Sequence, residues 1–91
     1  MIKVCLADNH PIVHYGIKAF FKDNPEISVI GQAENYNDLE EILSKKTVDI
    51  MILDLDLEGL SSINMVKALV KDYPSSKIVV FTNLSEQIYA P

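Results

Sequence analysis

Asp8, Asp54, Asp56 and Thr82 carry the chemistry this sequence can offer. Asp8 follows the apolar run Ile2 to Ala7, Asp54 closes "DIMILD" with Asp56 two residues on, and Thr82 follows "KIVVF". Two carboxylates in one cleft repel, and each raises the pKa of the other unless a cation intervenes. A hard dication with oxygen ligands removes the conflict, and Mg²⁺ commonly takes one or two carboxylates while keeping several waters. A carboxylate held beside such a metal is also a nucleophile toward phosphorus. Acids often follow buried strands simply because loops are polar. Three such groups at three strand ends outweigh that explanation.

These groups need elements to bring them together. Apolar runs alternate with helical spacing along the chain. Strands are expected at Ile2 to Ala7, Ile27 to Ala33, Val48 to Leu53 and Lys77 to Phe81. Helices are expected from Pro11 to Lys22, with Val13, Ile17, Phe20 and Phe21 inward, and over Asp38 to Ser44. Pro suits a first helical turn, where its missing N–H would be unpaired anyway. Asn37 is expected to cap the second helix with Glu40 in the capping-box position, and Leu39, Ile42 and Leu43 to be buried. A third helix, capped by Ser61 or Ser62 and stopped by Pro74, turns Ile63, Val66, Leu69 and Val70 inward. A further helix is expected to start over Leu84 to Ala90.

The order βαβαβαβ(α) implies parallel strands joined by crossover helices, an α/β doubly wound sheet. Ligands in such sheets sit beyond the carboxyl ends of the strands, where strand order reverses. With the reversal beside the first strand, Asp8 and Asp54 converge, and Thr82 lies alongside.

Composition narrows the function. The chain has 91 residues, enough for one small domain, and 48% are hydrophobic, ample for a packed core. Its formal net charge is −5, with no Lys/Arg cluster, so nucleic acid and anionic membrane are poor partners for this segment itself. No apolar run approaches the roughly 20 residues needed to span a bilayer, and the N-terminus turns acidic too early for a signal peptide. Cys5 is the sole cysteine, which precludes an internal disulfide and fits a reducing cytoplasm. It is expected to be a buried structural thiol.

The motifs "LADNHPIVHYGI" at 6–17, "DIMILDLDLEG" at 49–59 and "KIVVFTN" at 77–83 together resemble the receiver domain of two-component response regulators, and "DNHPIVHYG" resembles its NarL/FixJ class. The resemblance runs the whole chain in order and spacing. It implies a flavodoxin-like receiver fold with strand order 2-1-3-4. It implies that Asp54 accepts a phosphoryl group from a sensor histidine kinase, with Mg²⁺ held by Asp8, Asn9, Asp54 and the backbone carbonyl of Asp56. It implies that Thr82 meets the phosphoryl oxygens and couples phosphorylation to the following loop. The output implied is transcriptional, through a DNA-binding helix-turn-helix domain that lies outside this sequence. A homodimer is a candidate assembly.

The sequence departs from the family pattern in places. Asn9 stands where a second acid is usual, and an amide oxygen ligates Mg²⁺ without adding charge, so weaker Mg²⁺ binding is expected. Leu57-Glu58 replaces the common Met-Pro, and Ser62 replaces the usual glycine. The family's fifth strand and helix, with the lysine that pairs with the phosphoryl group, are absent from residues 1–91. Stable phosphorylation of this chain by itself is therefore not expected, and strand four is expected to present an apolar edge.

Two other functions compete with a non-enzymatic phospho-acceptor switch. "ILDLDLEG" also resembles the Asp-x-Asp motif of haloacid-dehalogenase-like phosphatases, with Asp54 as nucleophile and Asp56 as acid/base. That motif usually opens the first strand of its core, whereas here two strand-helix units precede it. A degenerate receiver acting only as a dimerisation module is the other alternative, and Asn9 gives it weight. His10 and His14 have i, i+4 spacing that suits zinc, but no third ligand is evident. They are expected to be a loop-end and a surface histidine. His14, Tyr15 and Lys18 are candidates for kinase contact. Asp38, Glu40 and Glu41 form a solvated helix face.

Overall fold

The computed structural model describes residues 1–81. Thr82 and the expected helix over Leu84 to Ala90 lie outside them. The order is β1 (Ile2–Ala7), α1 (Pro11–Phe21), β2 (Ile27–Ala33), α2 (Tyr36–Lys45), β3 (Ile50–Asp54), α3 (Ile63–Asp72) and β4 (Lys77–Phe81). The strands form one parallel sheet in the order β2-β1-β3-β4. The chain steps one way from β1 to β2 and the other way from β2 to β3. Right-handed crossovers therefore place α1 on one face and α2 and α3 on the other. No helix among the described residues is long and apolar enough to cross a membrane.

Strand alternation divides the core. Cys5, Ala7, Met51 and Leu53 share a buried cluster with Leu39, Leu43, Val66 and Leu69 of α2 and α3. Val4 and Leu6 point to the opposite face, where α1 lies, and are equally buried. Cys5 is a buried free thiol whose pKa burial pushes up to about 11, as a structural cysteine should be. A Cβ on Gly31 would come within 3.1 Å of the Ile42 side chain, so β2 and α2 pack closely there because Gly31 has none.

Three sequence expectations need correction. Phe20 is 80% exposed, while His14 is 7% exposed and buried. Positions three and four residues along can share one helix face, but α1 is turned so that Phe21 is half-buried and Phe20 is left outside. The inward stripe runs through His14, Ile17 and Phe21, and Phe20 packs edge-on against Phe21 with ring centroids 5.2 Å apart. In α3, Val66 and Leu69 are buried, but Ile63 and Val70 are exposed. That helix is rolled toward Tyr73, which packs on the core.

The cap of α2 is Asn35, not Asn37: its side chain accepts a hydrogen bond from the Asp38 backbone N–H at 2.8 Å. The Asp38 carboxylate accepts in return from the Glu34 backbone N–H at 3.4 Å. A tertiary contact selects this frame. The Tyr36 N–H donates to the Glu58 carbonyl at 2.7 Å, and Asn35 bridges to Glu58. Gly59, at φ 89°, turns the chain beside Tyr36.

Candidate functional site

The register of β1 and β3 builds the site. Ala7 pairs with Leu53, so the next residue on each strand, Asp8 and Asp54, emerges at the same edge, at the point where strand order reverses. Asp54 is itself the last residue of β3, one position beyond the expected end, and is in register with Phe81 of β4. The Asp8 N–H donates to the Ala33 carbonyl at 3.0 Å, tying the end of β1 to β2. Asp8 and Asp54 are 1% and 2% exposed, so both carboxylates sit at the edge of the core rather than in open solvent.

His10 joins them. The Asp8 carboxylate Oδ1 accepts from the His10 backbone N–H at 2.6 Å and, with the proton on Nδ1, from its ring at 2.7 Å. This i to i+2 turn folds the imidazole back over the carboxylates. The same Nδ1 lies 3.5 Å from Asp54 Oδ2. One ligand atom from each of Asp8, His10 and Asp54 falls within 4.8 Å of the others. Asp54 Oδ1 accepts from the Asp56 N–H at 3.0 Å, which fixes the carboxylate's orientation.

The electrostatics follow from this geometry. Burial pushes the Asp54 carboxyl above its ordinary range, and the charges of Asp8 and Asp56 push the same way. The Asp56 N–H and His10 oppose the shift. His10 is raised, chiefly by its hydrogen bond to Asp8 and by that carboxylate's charge. Asp8 Oδ2 is buried and has no hydrogen-bond partner among the described residues. A buried carboxylate oxygen left so is costly, and a bound cation would satisfy it. The donor set fits a dication.

Sequence reasoning placed Asp8 and Asp54 correctly at one edge. It left His10 out of the site, pairing it instead with His14. His14 is buried in α1 and is not in the cluster. The available signal was the spacing Asp8-x-His10 before Pro11, which favours a side-chain turn at a helix start. Asn9 and Asp56 are both exposed. The Asp56 carboxylate is not in the cluster, and Asp56 contributes to the site through its backbone N–H.

An open parallel α/β sheet with paired buried carboxylates at its switch point defines a class of proteins that act at that edge. Residues 4–91 match the family described as response regulator receiver domain, and the chain belongs to that family. It is 32% identical over 83 residues to the transcriptional regulatory protein LiaR of Bacillus subtilis (strain 168), covering 91% of this chain and 39% of LiaR. It is 30% identical over 79 residues to the nitrate/nitrite response regulator protein NarL of Escherichia coli (strain K12), covering 87% of this chain and 37% of NarL. Among solved structures, the isolated receiver domain of RcsB from Salmonella enterica serovar Typhimurium in the apo form superposes with a TM-score of 0.81 and 31% identity. That match covers 97% of this chain and 65% of the RcsB chain. The chain thus spans well under half the length of its curated relatives. The fold is the flavodoxin-like receiver fold in its 2-1-3-4 order.

Proposed function

We propose that this chain is a phospho-acceptor switch in which Asp54 takes a phosphoryl group from a sensor histidine kinase. The carrying observation is the buried Asp54 carboxylate, oriented by the Asp56 N–H and sharing one edge with Asp8. In the transfer, an Asp54 oxygen forms a bond to phosphorus as the bond from phosphorus to the donor's imidazole nitrogen breaks. Asp8 and Asp54, with the Asn9 side-chain oxygen and the Asp56 carbonyl, would hold Mg²⁺. When bound, Mg²⁺ supplies positive charge that offsets carboxylate repulsion and the charge on the transferring phosphoryl oxygens. Thr82 follows Phe81 in the sequence, and by the resemblance to receiver domains its hydroxyl would turn toward the new phosphoryl oxygens and pass the change on.

LiaR carries the name of a transcriptional regulatory protein, NarL that of a response regulator, and one RcsB structure is titled as two dimers bound to two parallel DNAs. By analogy, the output proposed for the protein is DNA binding by a region beyond residues 1–91, in the cytoplasm, with homodimerisation as the step between. Family membership, and the two strand-helix units that precede Asp54, speak against the haloacid-dehalogenase-like phosphatase alternative. The degenerate-receiver alternative retains one supporting feature, the neutral exposed Asn9.

The test is intact mass of the full-length protein after incubation with Mg²⁺ and a small acyl-phosphate donor. One added phosphoryl group, lost in Asp54→Ala, is expected. No modification across a wide Mg²⁺ range would leave the dimerisation module as the better reading.

A further inference from the structure

Beside the carboxylate oxygens that suit Mg²⁺, this edge also carries an imidazole nitrogen. We propose that His10 is itself a metal ligand, so that Asp8, His10 Nδ1 and Asp54 form a mixed nitrogen–oxygen site for a first-row transition dication. The inference builds on the phospho-acceptor reading of the same edge and concerns which ion that edge takes.

Three observations carry it. First, the ring nitrogen lies between the carboxylates, 2.7 Å from Asp8 Oδ1 and 3.5 Å from Asp54 Oδ2. Neighbouring ligands around one octahedral ion sit about 3 Å apart when its bonds are roughly 2.1 Å, so these atoms need little rearrangement to share one. Second, the imidazole is held there by the backbone: the His10 N–H bonds to Asp8 Oδ1 at 2.6 Å, at the N-cap of α1. Third, Asp8 is 1% exposed and its Oδ2 has no hydrogen-bond partner among the described residues. An ion would supply that missing partner.

Ligand chemistry then sets the preference. Asn9 is exposed and neutral, and the nitrogen donor that lies beside the two acids is the His10 imidazole. Imidazole suits ions such as Co²⁺, Ni²⁺ and Zn²⁺, whereas Mg²⁺ favours carboxylate, carbonyl and water. Entry of the ion frees Nδ1, whose proton is released to solvent from the imidazolium or exchanged to Nε2 in the neutral ring, so that Nε2 carries the remaining N–H and the ring's hydrogen bond to Asp8 is replaced by a shared metal. Half of the His10 side chain faces solvent, which leaves a path for the ion to enter.

The test uses Co²⁺ and Mg²⁺ on the full chain, without any phosphoryl donor. Titration calorimetry gives both affinities, and proton NMR of the Co²⁺ form reports a ligating imidazole through a hyperfine-shifted exchangeable N–H. His10→Ala is expected to weaken Co²⁺ binding about tenfold or more while changing Mg²⁺ affinity much less, and to remove the shifted resonance. Circular dichroism checks that the variant folds, and Asp8→Asn, which keeps the ring, should also weaken Co²⁺ binding. Equal losses for the two ions in His10→Ala, or no shifted resonance in the Co²⁺ form, overturn the proposal. Phosphoryl uptake with Mg²⁺ but no imidazole signal would sink this inference and leave Asp54 as acceptor. A ligating His10 with no phosphoryl uptake under any metal would do the reverse.

Discussion

His10 Nδ1 lies 2.7 Å from Asp8 Oδ1, and through this contact a residue outside the acidic pair governs the charge of the pocket. Without a metal, the protonated imidazole is the positive charge that the described residues place beside the two buried carboxylates. Its position explains how Asp8 and Asp54 share one edge of so small a core. Its help is partial, because burial still holds the Asp54 carboxyl above its ordinary range.

Asp54→Asn should therefore stabilise the metal-free protein at neutral pH. The substitution removes a buried charge and its repulsion with Asp8, while the amide oxygen still accepts from the Asp56 N–H. A gain on the order of 1 kcal/mol corresponds to about 4–8 °C in Tm for a domain of this size. Thermal melts in chelator read it. A lower Tm for the variant would mean that the Asp54 charge is better compensated than its burial indicates.

The pH dependence of stability follows from the same two groups. Asp54 has a folded pKa above its ordinary 3.8. Its contribution is present below that value and is lost as pH rises through the higher folded one. His10 has a folded pKa above its ordinary 6.5. Its contribution is complete below 6.5 and is lost as pH rises through the folded value. Both slopes are negative, so these two groups make stability in chelator fall as pH rises, with the His10 step above pH 6.5. His10→Asn should remove that later step and keep the carboxylate step. Parallel Tm profiles for the two proteins would contradict the assignment.

The parallel sheet was legible because it depends on period and sequence of elements, which apolar runs report directly, whereas its order, and with it the meeting of Asp8 with Asp54, came from the resemblance to receiver domains. The turn of each helix about its axis was not. Phe20 and Phe21 are equally apolar, and only packing against the sheet decides that Phe21 turns in while Phe20 is left 80% exposed. His14 shows the converse, a polar residue carried inward because its stripe contains Ile17 and Phe21. His10 was missed for a related reason: its role depends on a backbone turn around Asp8, and helical spacing toward His14 was the more visible pattern.

The start of α2 gives a sharper test of local against tertiary control. Asn35 and Asn37 both stand three residues before an acid, so sequence alone offers two capping frames. The structure uses Asn35, whose side chain bonds to the Asp38 N–H. Asn35→Ala should cost about 0.5–2 kcal/mol. Asn37→Ala, at an exposed position inside the first turn, should be close to neutral. Urea denaturation of the two variants distinguishes the frames, and a larger loss for Asn37→Ala would reverse the assignment.

The choice of that frame rests on the loop after β3. The Tyr36 N–H, at the first residue of α2, donates to Glu58, and Gly59 follows in the left-handed region with φ 89°. A Cβ there would meet the Tyr36 Cβ at 3.0 Å, so Gly59→Ala combines backbone strain with a close contact. A loss of about 1–3 kcal/mol is expected. The strain falls on the segment that joins Asp54 to the start of α2. Hydrogen exchange should therefore show loss of protection at the Tyr36 amide beyond that at the central β1 and β3 amides. Uniform loss across the sheet would mean that Gly59 supports global stability rather than this junction.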